Sequence, residues 1–558
     1  MSDSDGREPG YDADVLIVGA GPVGLMAAHE LARHGVSARV VEKTDERSPL
    51  SKALVIHART LEMLDFAGLV DEFLRRGYPA PGIAIGLRRS GKPLPVNLQG
   101  LDTRYPFMLV LPQRQTEQIL LEALQDRGVR VEQGAELVAV EQSDDDVRAT
   151  VSVDGREETI RARYLLGCDG SHSAVRHLAG LRFDGEQLES LVLIGDVKAD
   201  TEFVRSRITN YTSPRGFVSV LPFLGEYVRV FAIDFTRQDF RRDDTLCLEE
   251  LQDTVDAIAP LPIRLSDPRW LTRYVAHSRQ VNTTRRARVF LAGDSAHAHS
   301  PAAGQGMNTG LQDAANLSWK LAMVLREQAP QTLLDTYDEE RRPIHESVRH
   351  GTDLMFRAFA LRNPLLKLAR NAAARCLIPR SPVQRRLASS ISGIMFGYRH
   401  TRLARAGRSG NGSLGVGDRM PDADLWMAGR SSLRLHELLR SSGYTVLMIA
   451  AADHLADDRE QIVAFLRKTQ KMYGAAVRPY LVLDEGVLDP EEVGVPVLID
   501  VKGQLVDRLR RGHGTVVLVR PDGHLAAVEP RGHVPGRMTD VLAPWLIPRS
   551  VVSPVGQR

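Results

Sequence analysis

The sequence predicts an α+β fold that is divided into three domains. A short apolar run at Ala13–Val18 is followed by the glycine-rich segment GAGPVG and by a helical pattern that continues to Arg33, which is typical of the start of a βαβ unit. Residues from about 185 to 276 have the alternating pattern of strands. At about residues 403–417 the composition changes to glycine, serine and arginine, and a new pattern of helices and strands follows. A chain of 558 residues is long enough for several domains.

Composition and charge exclude several classes of protein. The net charge of +2 gives no reason to expect nucleic acid as a partner. The three cysteines, Cys168, Cys247 and Cys376, are far apart and odd in number, which argues against a disulfide framework or a cysteine-rich metal site. Reduced thiols favour a cytoplasmic location. The N-terminal residues have no apolar signal-peptide core, and no apolar run reaches the ~18 residues of a membrane span, so we expect no stable membrane insertion.

The first candidate site is the glycine-rich turn between the first strand and the first helix. Gly19, Gly21 and Gly24 form G-x-G-x-x-G, in which the glycines allow a tight turn, close approach to a pyrophosphate and close packing of helix on strand. Glu42 ends the second strand, where a carboxylate can accept hydrogen bonds from a ribose. This pattern predicts a Rossmann-like dinucleotide site, and we include the neighbouring residues Pro22 and Lys43.

The second candidate site is the segment RARVFLAGDSAHAHSPAAGQGMNTGLQD at residues 286–313. A strand leads into Gly293-Asp294, and a loop then opens a helix. This segment resembles the second flavin motif of the FAD-dependent aromatic hydroxylases, the class that includes para-hydroxybenzoate hydroxylase. The resemblance implies that Asp294 binds the ribityl chain of FAD and that the loop passes along the flavin ring; its residues are Pro301, Gly304, Gly306, Met307 and Asn308. A helix N-terminus beside reduced flavin also stabilises negative charge.

A third motif completes the resemblance. The segment YLLGCDGSHSAVR resembles the family's Asp-Gly motif, which implies that Asp169 contacts the pyrophosphate region of FAD. Lys52 lies where the family usually has an arginine near the flavin, so the positive charge is kept and the planar fork is lost. Gln113 matches a position that contacts the ribityl chain. The resemblance covers about residues 12–400.

The resemblance implies a class of reaction. NADPH or NADH would reduce FAD, the reduced flavin would react with O2 to a C4a-hydroperoxide, and an aromatic or polyketide-type small molecule would be hydroxylated. Tailoring of a polycyclic polyketide, as in antibiotic biosynthesis, is preferred over catabolism of a simple phenol. Three alternatives stay open: Baeyer–Villiger-type oxygenation, a reductase of the same fold, and an FAD-binding protein without turnover. The tryptophan-rich segment of flavin halogenases is absent from the sequence.

The same reasoning gives domain boundaries. We expect an FAD-binding domain at residues 12–80, 108–185 and 277–400, a β-sheet substrate domain at 81–107 and 186–276, a linker at 401–417, and a last domain at 418–550. The last domain resembles the thioredoxin-like domain of the phenol and polyketide hydroxylases. All three cysteines precede residue 400, so it lacks Cys-x-x-Cys and is expected to act in packing or in a homodimer contact.

Several residues could be functional or merely structural. We interpret His297 as a packed histidine bonded to backbone, and Arg59 and Glu62 as residues that form a salt bridge or contact solvent. The YDEERRP segment is expected to pack a helix. The basic helical stretch from Phe356 to Arg386 is expected to cover its own protein with arginines in solvent rather than to contact a membrane surface. Substrate contact is considered for three residues of the sheet domain without a preference over surface positions: Tyr211, Arg215 and Tyr227. No catalytic side chain and no metal cluster is assigned.

Overall fold

The structure is a computed structural model of the whole chain. It describes the following residues: 10–47, 53–86, 93–200, 207–237, 245–298, 304–359, 361, 363–406, 414–427, 430–450, 455–484, 494–509, 514–530 and 542–549.

Within these residues, helices and strands are both abundant, which confirms the α+β prediction. The strands are β1 (Ala13–Val18), β2 (Ala38–Glu42), β3 (Val55–Ile56), β4 (Tyr78–Ala80), β5 (Gly82–Gly86), β6 (Leu94–Asn97), β7 (Met108–Val110), β8 (Val131–Gln133), β9 (Ala135–Gln142), β10 (Val147–Val153), β11 (Arg156–Gly167), β12 (Phe183–Ala199), β13 (Ile208–Thr212), β14 (Gly216–Pro222), β15 (Tyr227–Asp234), β16 (Leu265–Val281), β17 (Arg285–Arg286), β18 (Val289–Leu291), β19 (His297–Ala298), β20 (Asp424–Met427), β21 (Arg430–Arg434), β22 (Tyr444–Ala450), β23 (Val477–Leu483), β24 (Val497–Ile499), β25 (Gly514–Val519) and β26 (Leu525–Pro530). The helices are α1 (Pro22–Arg33), α2 (Ala58–Phe66), α3 (Val70–Arg76), α4 (Gln113–Gln125), α5 (Ala174–Leu178), α6 (Leu248–Ile258), α7 (Gly306–Leu325), α8 (Thr336–Phe359), α9 (Pro364–Leu377), α10 (Ser381–Ile391), α11 (Arg402–Ala406), α12 (Leu435–Leu438), α13 (Leu455–Tyr473) and α14 (Val506–Leu509).

The first sheet carries the glycine-rich turn. Its strand order is β17-β18-β11-β1-β2-β8, and β1, β2, β8, β11 and β18 pair in parallel. The hairpin β9–β10 extends it beside β11. Apart from the half-buried Asp14 near its start, β1 is apolar because both of its faces are buried, as expected of a central parallel strand. The carboxyl ends of β1, β11 and β18 lie side by side, so the segments that follow them meet at one edge of the sheet.

The second sheet has the order β19-β16-β12-β15-β14-β13-β5-β6 and draws strands from before and after residues 108–185. α6 covers one face, where Val218, Val228 and Val230 lie in its apolar core. Because side chains alternate along a strand, Phe217, Phe231 and their neighbours point to the opposite face.

The third sheet belongs to the C-terminal part, in the order β21-β20-β24-β23-β22-β25-β26. Pro521-Asp522-Gly523, a sequence typical of tight turns, lies in the hairpin between β25 and β26. The segment LRLHELLRS at residues 433–441, whose pattern predicts a helix, forms only one helical turn, because Leu433 pairs with Leu425 in the sheet before α12 begins. One apolar core runs from the first sheet into this part of the chain.

Two further features concern the helices. In the part of the chain that the structure describes, no helix is both long and apolar enough to cross a membrane. The expectation that the basic helical stretch has its arginines in solvent holds for the exposed Arg357, Arg375, Arg380, Arg385 and Arg386, whereas Arg370 of α9 is half-buried and Leu365 is exposed.

Candidate functional site

The three glycines of the first motif differ in their surroundings. Gly19 has a φ of +102°, and a Cβ there would lie 2.5 Å from the carbonyl oxygen of Cys168. A Cβ at Gly24 would lie 1.9 Å from the carbonyl oxygen of Gly19, so this glycine is required by packing. At Gly21, in contrast, φ is −73° and no described atom lies within 4 Å of a Cβ. Gly21 therefore faces open space, and the protein itself gives no reason for a glycine there.

The start of α1 is suited to bind an anion. Gly21 is the N-cap and offers no side chain to the first N–H groups, and Pro22 is the first residue of the helix. The helix N-terminus carries partial positive charge, which favours a phosphate. Glu42 lies beside this turn, where its Oε2 accepts a hydrogen bond from the Ala20 N–H at 2.8 Å. Lys43, next to it, is exposed.

Arg47 is a residue that the sequence interpretation missed. Its Nη2 lies 3.5 Å from the Ala20 carbonyl oxygen and its Nη1 lies 3.6 Å from Glu117 Oε2. Burial lowers the pKa of the Arg47 guanidinium. This half-buried positive charge next to the glycine turn can pair with a phosphate. Its only signal in the sequence is a basic residue five positions after Glu42.

The Gly293-Asp294 turn lies at the same edge of the sheet. Gly293 has a φ of +66°, and a Cβ there would lie 2.8 Å from Val23 Cγ2 on α1. Asp294 is exposed, and its Oδ1 lies 3.9 Å from the place where a Cβ of Gly306 would be. α7 begins at Gly306, and no side chain of the described residues caps its N-terminus. A carboxylate and an uncapped helix start thus lie side by side. The carboxylate can accept hydrogen bonds from the hydroxyls of a sugar-like chain, and the helix start can stabilise negative charge on a ring.

Asn308 holds the start of α7 against β3. Its Nδ2 donates to the carbonyl oxygens of Val55 at 2.7 Å and Gly304 at 2.8 Å, and its Oδ1 accepts from the His57 N–H at 2.8 Å. Gly304, with a φ of +61°, and Met307 are half-buried beside it. Asn308 therefore shapes the loop with its side chain. Two predicted site residues lie outside the described residues: Lys52 and Pro301.

Asp169 and Gln113 are bonded within the protein. Asp169 accepts from the Ser173 hydroxyl at 2.5 Å and from the Val175 N–H at 3.1 Å, so it supports the start of α5. Burial raises the pKa of the Asp169 carboxyl. Gln113 accepts from the Ala53 N–H at 3.2 Å and donates to Glu117 at 2.9 Å. Asp169 follows β11 and so lies at the same edge of the first sheet as the glycine turn, while Gln113 is linked to that turn through Glu117, which pairs with Arg47.

His297 belongs to a buried ion network that sequence reasoning did not foresee. Its Nε2 lies 2.7 Å from Asp313, a carboxylate rather than the expected backbone group. His345 Nε2 and Arg341 Nε lie 2.8 and 2.7 Å from Asp313 Oδ1. The Gly293 N–H donates to Asp313 Oδ2, the oxygen beside His297, at 3.1 Å. Burial lowers the pKa of His345 to about 3. Both oxygens of Asp313 already have partners, and one partner is the positive charge of Arg341. We therefore interpret this cluster as an ion network that fixes the Gly293 turn and not as a site for a metal cation.

The open face of the second sheet lies next to the start of α7. Val55, which Asn308 holds, packs in one apolar cluster with Leu221, and Phe231 packs against that cluster. Phe231, Trp270 and Tyr274 border a second small cluster on the same face, which includes Ile194 and Ile233. A half-buried aromatic surface of this kind suits a flat aromatic ligand.

The three sheet residues considered for substrate contact lie elsewhere. Tyr211 is buried in the core under α6, on the other face of the sheet. Arg215 pairs with Asp234 at 2.8 Å, and the Tyr227 hydroxyl donates to the exposed Asp267 at 2.6 Å. Tyr211 therefore has a packing role, and Arg215 and Tyr227 form polar contacts within the sheet domain.

The residues at the sheet edge fit FAD. The pyrophosphate requires a glycine with free space next to a helix N-terminus, and Gly21 with α1 provides both. Asp294 and the start of α7 would face the ribityl chain and the flavin ring. The aromatic face of the second sheet would lie against the flavin side of the site.

Comparison with known proteins gives the same result. Residues 12–352 match the FAD binding domain family. The chain is similar to 6-methylpretetramide 4-monooxygenase of Streptomyces rimosus, with 35% identity over 92% of this chain and 90% of the relative. It is also similar to pentachlorophenol 4-monooxygenase of Sphingobium chlorophenolicum, with 31% identity over 93% and 94% of the two chains.

A solved structure of similar fold is that of anhydrotetracycline hydroxylase from Streptomyces rimosus. The TM-score is 0.74 at 30% identity, and the match covers 96% of this chain and 99% of the other. The match extends through the C-terminal part, so all three sheets belong to the shared fold. This chain therefore belongs to the class A FAD-dependent aromatic hydroxylases and is an FAD-dependent monooxygenase.

Proposed function

We propose that the enzyme uses NADPH or NADH and O2 to hydroxylate a polycyclic aromatic polyketide. The observation that carries this proposal is the half-buried aromatic face of the second sheet beside the start of α7, where Phe231, Trp270 and Tyr274 lie. A broad apolar surface suits several fused rings better than a single phenol. The relatives named for a pretetramide and for anhydrotetracycline support the same substrate class.

The cofactor contacts are part of the proposal. Bound FAD would supply the redox chemistry, accepting electrons from the nicotinamide and activating O2. The chain would hold FAD through the residues that the sequence indicates and through Arg47; they are Gly19, Gly21, Pro22, Gly24, Glu42, Lys43, Lys52, Gln113, Asp169, Gly293, Asp294, Pro301, Gly304, Gly306, Met307 and Asn308. The three free cysteines support a reducing, cytoplasmic location, and the domain boundaries given above are retained.

The protein's own role would be to position the substrate and exclude water. Arg229, which is buried, pairs with Asp196 at 2.6 Å and lies over the Trp270 ring. Its Nη1 also lies 3.5 Å from the Ala53 carbonyl oxygen. The pair therefore fixes the aromatic face relative to the segment that leads into β3.

The test measures NADPH and NADH oxidation by the FAD-loaded enzyme with tetracyclic polyketide phenols and with simple and chlorinated phenols. We expect a polycyclic phenol to stimulate oxidation and to gain one oxygen atom from ¹⁸O2. An inserted ester oxygen would indicate Baeyer–Villiger chemistry, reduction without oxygen gain a reductase, and absence of any stimulation a non-catalytic protein. Turnover of simple phenols alone would contradict the substrate class.

A variant of the aromatic face tests the location of the substrate. Phe231→Leu keeps an apolar side chain but removes the ring, so we expect a KM for the polycyclic substrate that is about tenfold higher, with FAD content unchanged. Tyr227→Phe, at the start of the same strand where the hydroxyl donates to the exposed Asp267, is the control and should leave KM unchanged. A KM that Phe231→Leu leaves unchanged would contradict a substrate site at this part of the sheet.

A further inference from the structure

Helix α9 has its apolar side turned away from the protein. Leu365 is 76% and Leu368 57% exposed, and Leu366 and Leu377 are exposed as well. The polar side chains Lys367, Arg370 and Asn371 are only half-exposed. With 100° between successive residues, the exposed positions occupy one side of the helix and the half-buried ones the other.

The inward side is held by polar bonds. Arg370 Nη1 donates to the Ala358 carbonyl oxygen of α8 at 2.6 Å, and its Nε donates to Asn371 Oδ1 at 3.0 Å. The Asn363 side chain caps the helix by accepting from the N–H groups of Leu365 and Leu366. These contacts fix the rotation of α9, so its leucines are kept toward solvent. An amphipathic surface helix normally does the reverse.

The charged residues of α9 and of the chain segment that contains it are all basic. Residues 354–417 contain eleven arginines and one lysine but no aspartate or glutamate. Arg375 on α9 and Arg380, Arg385 and Arg386 directly after it are exposed. An occupant of the apolar side would therefore be surrounded by positive charge and would have to be anionic itself.

The size of the apolar side of α9 and the charge beside it indicate which kind of partner could cover it. α9 is about 21 Å long and about 10 Å wide, so its apolar side offers about 200 Å², against about 800 Å² per partner in a stable protein interface. A second copy would also bring two arginine-rich surfaces together, which is unfavourable. A helix with leucines on one side and arginines at its margin is well suited to lie in the interface of an anionic bilayer.

We propose that α9 docks the enzyme reversibly on an anionic phospholipid surface, with its leucines in the interface and the surrounding arginines on the headgroups. The proposal concerns a surface contact only, and it is independent of the substrate class. Binding should be weak and should decrease with ionic strength, since a single short helix provides the apolar contact.

The test is sedimentation of the FAD-loaded full chain with vesicles of equal parts POPC and POPG, and with POPC alone. We expect binding to the anionic vesicles at low salt, loss of most binding at about 0.5 M NaCl, and little binding to POPC. The double variant Leu365→Ser/Leu368→Ser should bind at least about tenfold more weakly. Leu224→Ser/Leu261→Ser, which changes two leucines that are exposed elsewhere, is the matched control and should bind like the wild type.

Bound FAD and the far-ultraviolet circular dichroism spectrum show that each variant is folded. Absence of vesicle binding, equal binding to POPC, or equal loss in both double variants would overturn the proposal. Self-association that depends on Leu365 and Leu368 without vesicle binding, measured by sedimentation velocity, would identify a second copy as the occupant instead.

Discussion

Gly21 and Gly24 belong to the same glycine-rich segment but are glycines for different physical reasons. A side chain at Gly24 would collide with the backbone of Gly19, whereas a side chain at Gly21 would enter open space. The glycine at position 24 is required by the packing of the protein, and the glycine at position 21 is required by the ligand that binds beside it. Substitution separates the two.

We predict that Gly21→Ala folds with nearly unchanged thermal stability but binds FAD about tenfold more weakly, because the new methyl group occupies the pyrophosphate's place. Gly24→Ala should lower the free energy of unfolding by about 1–3 kcal/mol through overpacking. Thermal unfolding of the apoprotein and FAD titration measure the two effects. An FAD affinity of Gly21→Ala equal to that of the wild type would show that the pyrophosphate binds elsewhere.

At the scale of elements, a buried ion network joins α7, α8 and the β25–β26 hairpin. Glu340 on α8 accepts from Lys320 of α7 at 2.8 Å and from Arg520 of the hairpin at 2.6 and 2.8 Å. Arg520 also pairs with Asp522, in the turn that carries the hairpin. Burial lowers the pKa of Lys320 to about 8, while the neighbouring cations lower the pKa of Glu340 to about 2 against the effect of its burial. The C-terminal part is thereby fixed to the FAD-binding part.

Glu340→Gln should cost about 3–5 kcal/mol of unfolding free energy, because it leaves two buried cations without their shared carboxylate. Glu339→Gln is the control: the neighbouring carboxylate pairs with the exposed Arg402, so its loss should cost at most about 1 kcal/mol. Urea unfolding monitored by tryptophan fluorescence measures both. Similar costs for the two variants would show that the network contributes no more than a surface pair.

At the scale of the whole molecule, buried histidines set the response to acid. Burial lowers the pKa of His34 and His345 to about 3 and that of His524 to about 4. The unfolded chain takes up protons near pH 6.5, where the folded protein keeps these rings neutral. The contribution of these neutral histidines to the free energy of unfolding is therefore fully present above pH 6.5, and it is lost as the pH falls toward 4 and 3.

We predict that the free energy of unfolding falls steeply below pH 6.5, by up to about 1.4 kcal/mol per pH unit for each of these histidines. His524→Asn should reduce the slope by about that amount, while replacement of the exposed His400 is the control. Urea unfolding at several pH values between 7.5 and 5 provides the slopes. A curve that is flat over this range would contradict the burial of neutral histidines.

The sequence by itself determined the features that depend on local geometry. The βαβ unit, the glycine turn, Glu42 at a strand end and the Pro521-Asp522-Gly523 hairpin each follow from a few adjacent residues whose backbone requirements are narrow. The glycine at position 293 also follows, because the strand end there turns with a positive φ. Local rules act within such segments and can be read without the rest of the chain.

Only the tertiary structure decided which side chains meet across long distances in the sequence. Asp313 could be read as an ordinary helix residue, and only the approach of α8 and the Gly293 turn makes it the centre of an ion network. Arg47 is a candidate site residue only because the fold places it next to Ala20 of the glycine turn. The periodicity of α9 shows that it has an apolar side, but the direction of that side depends on the bond from Arg370 to α8. The rotation of a helix and the partner of a buried charge are set by packing energies that no short segment contains.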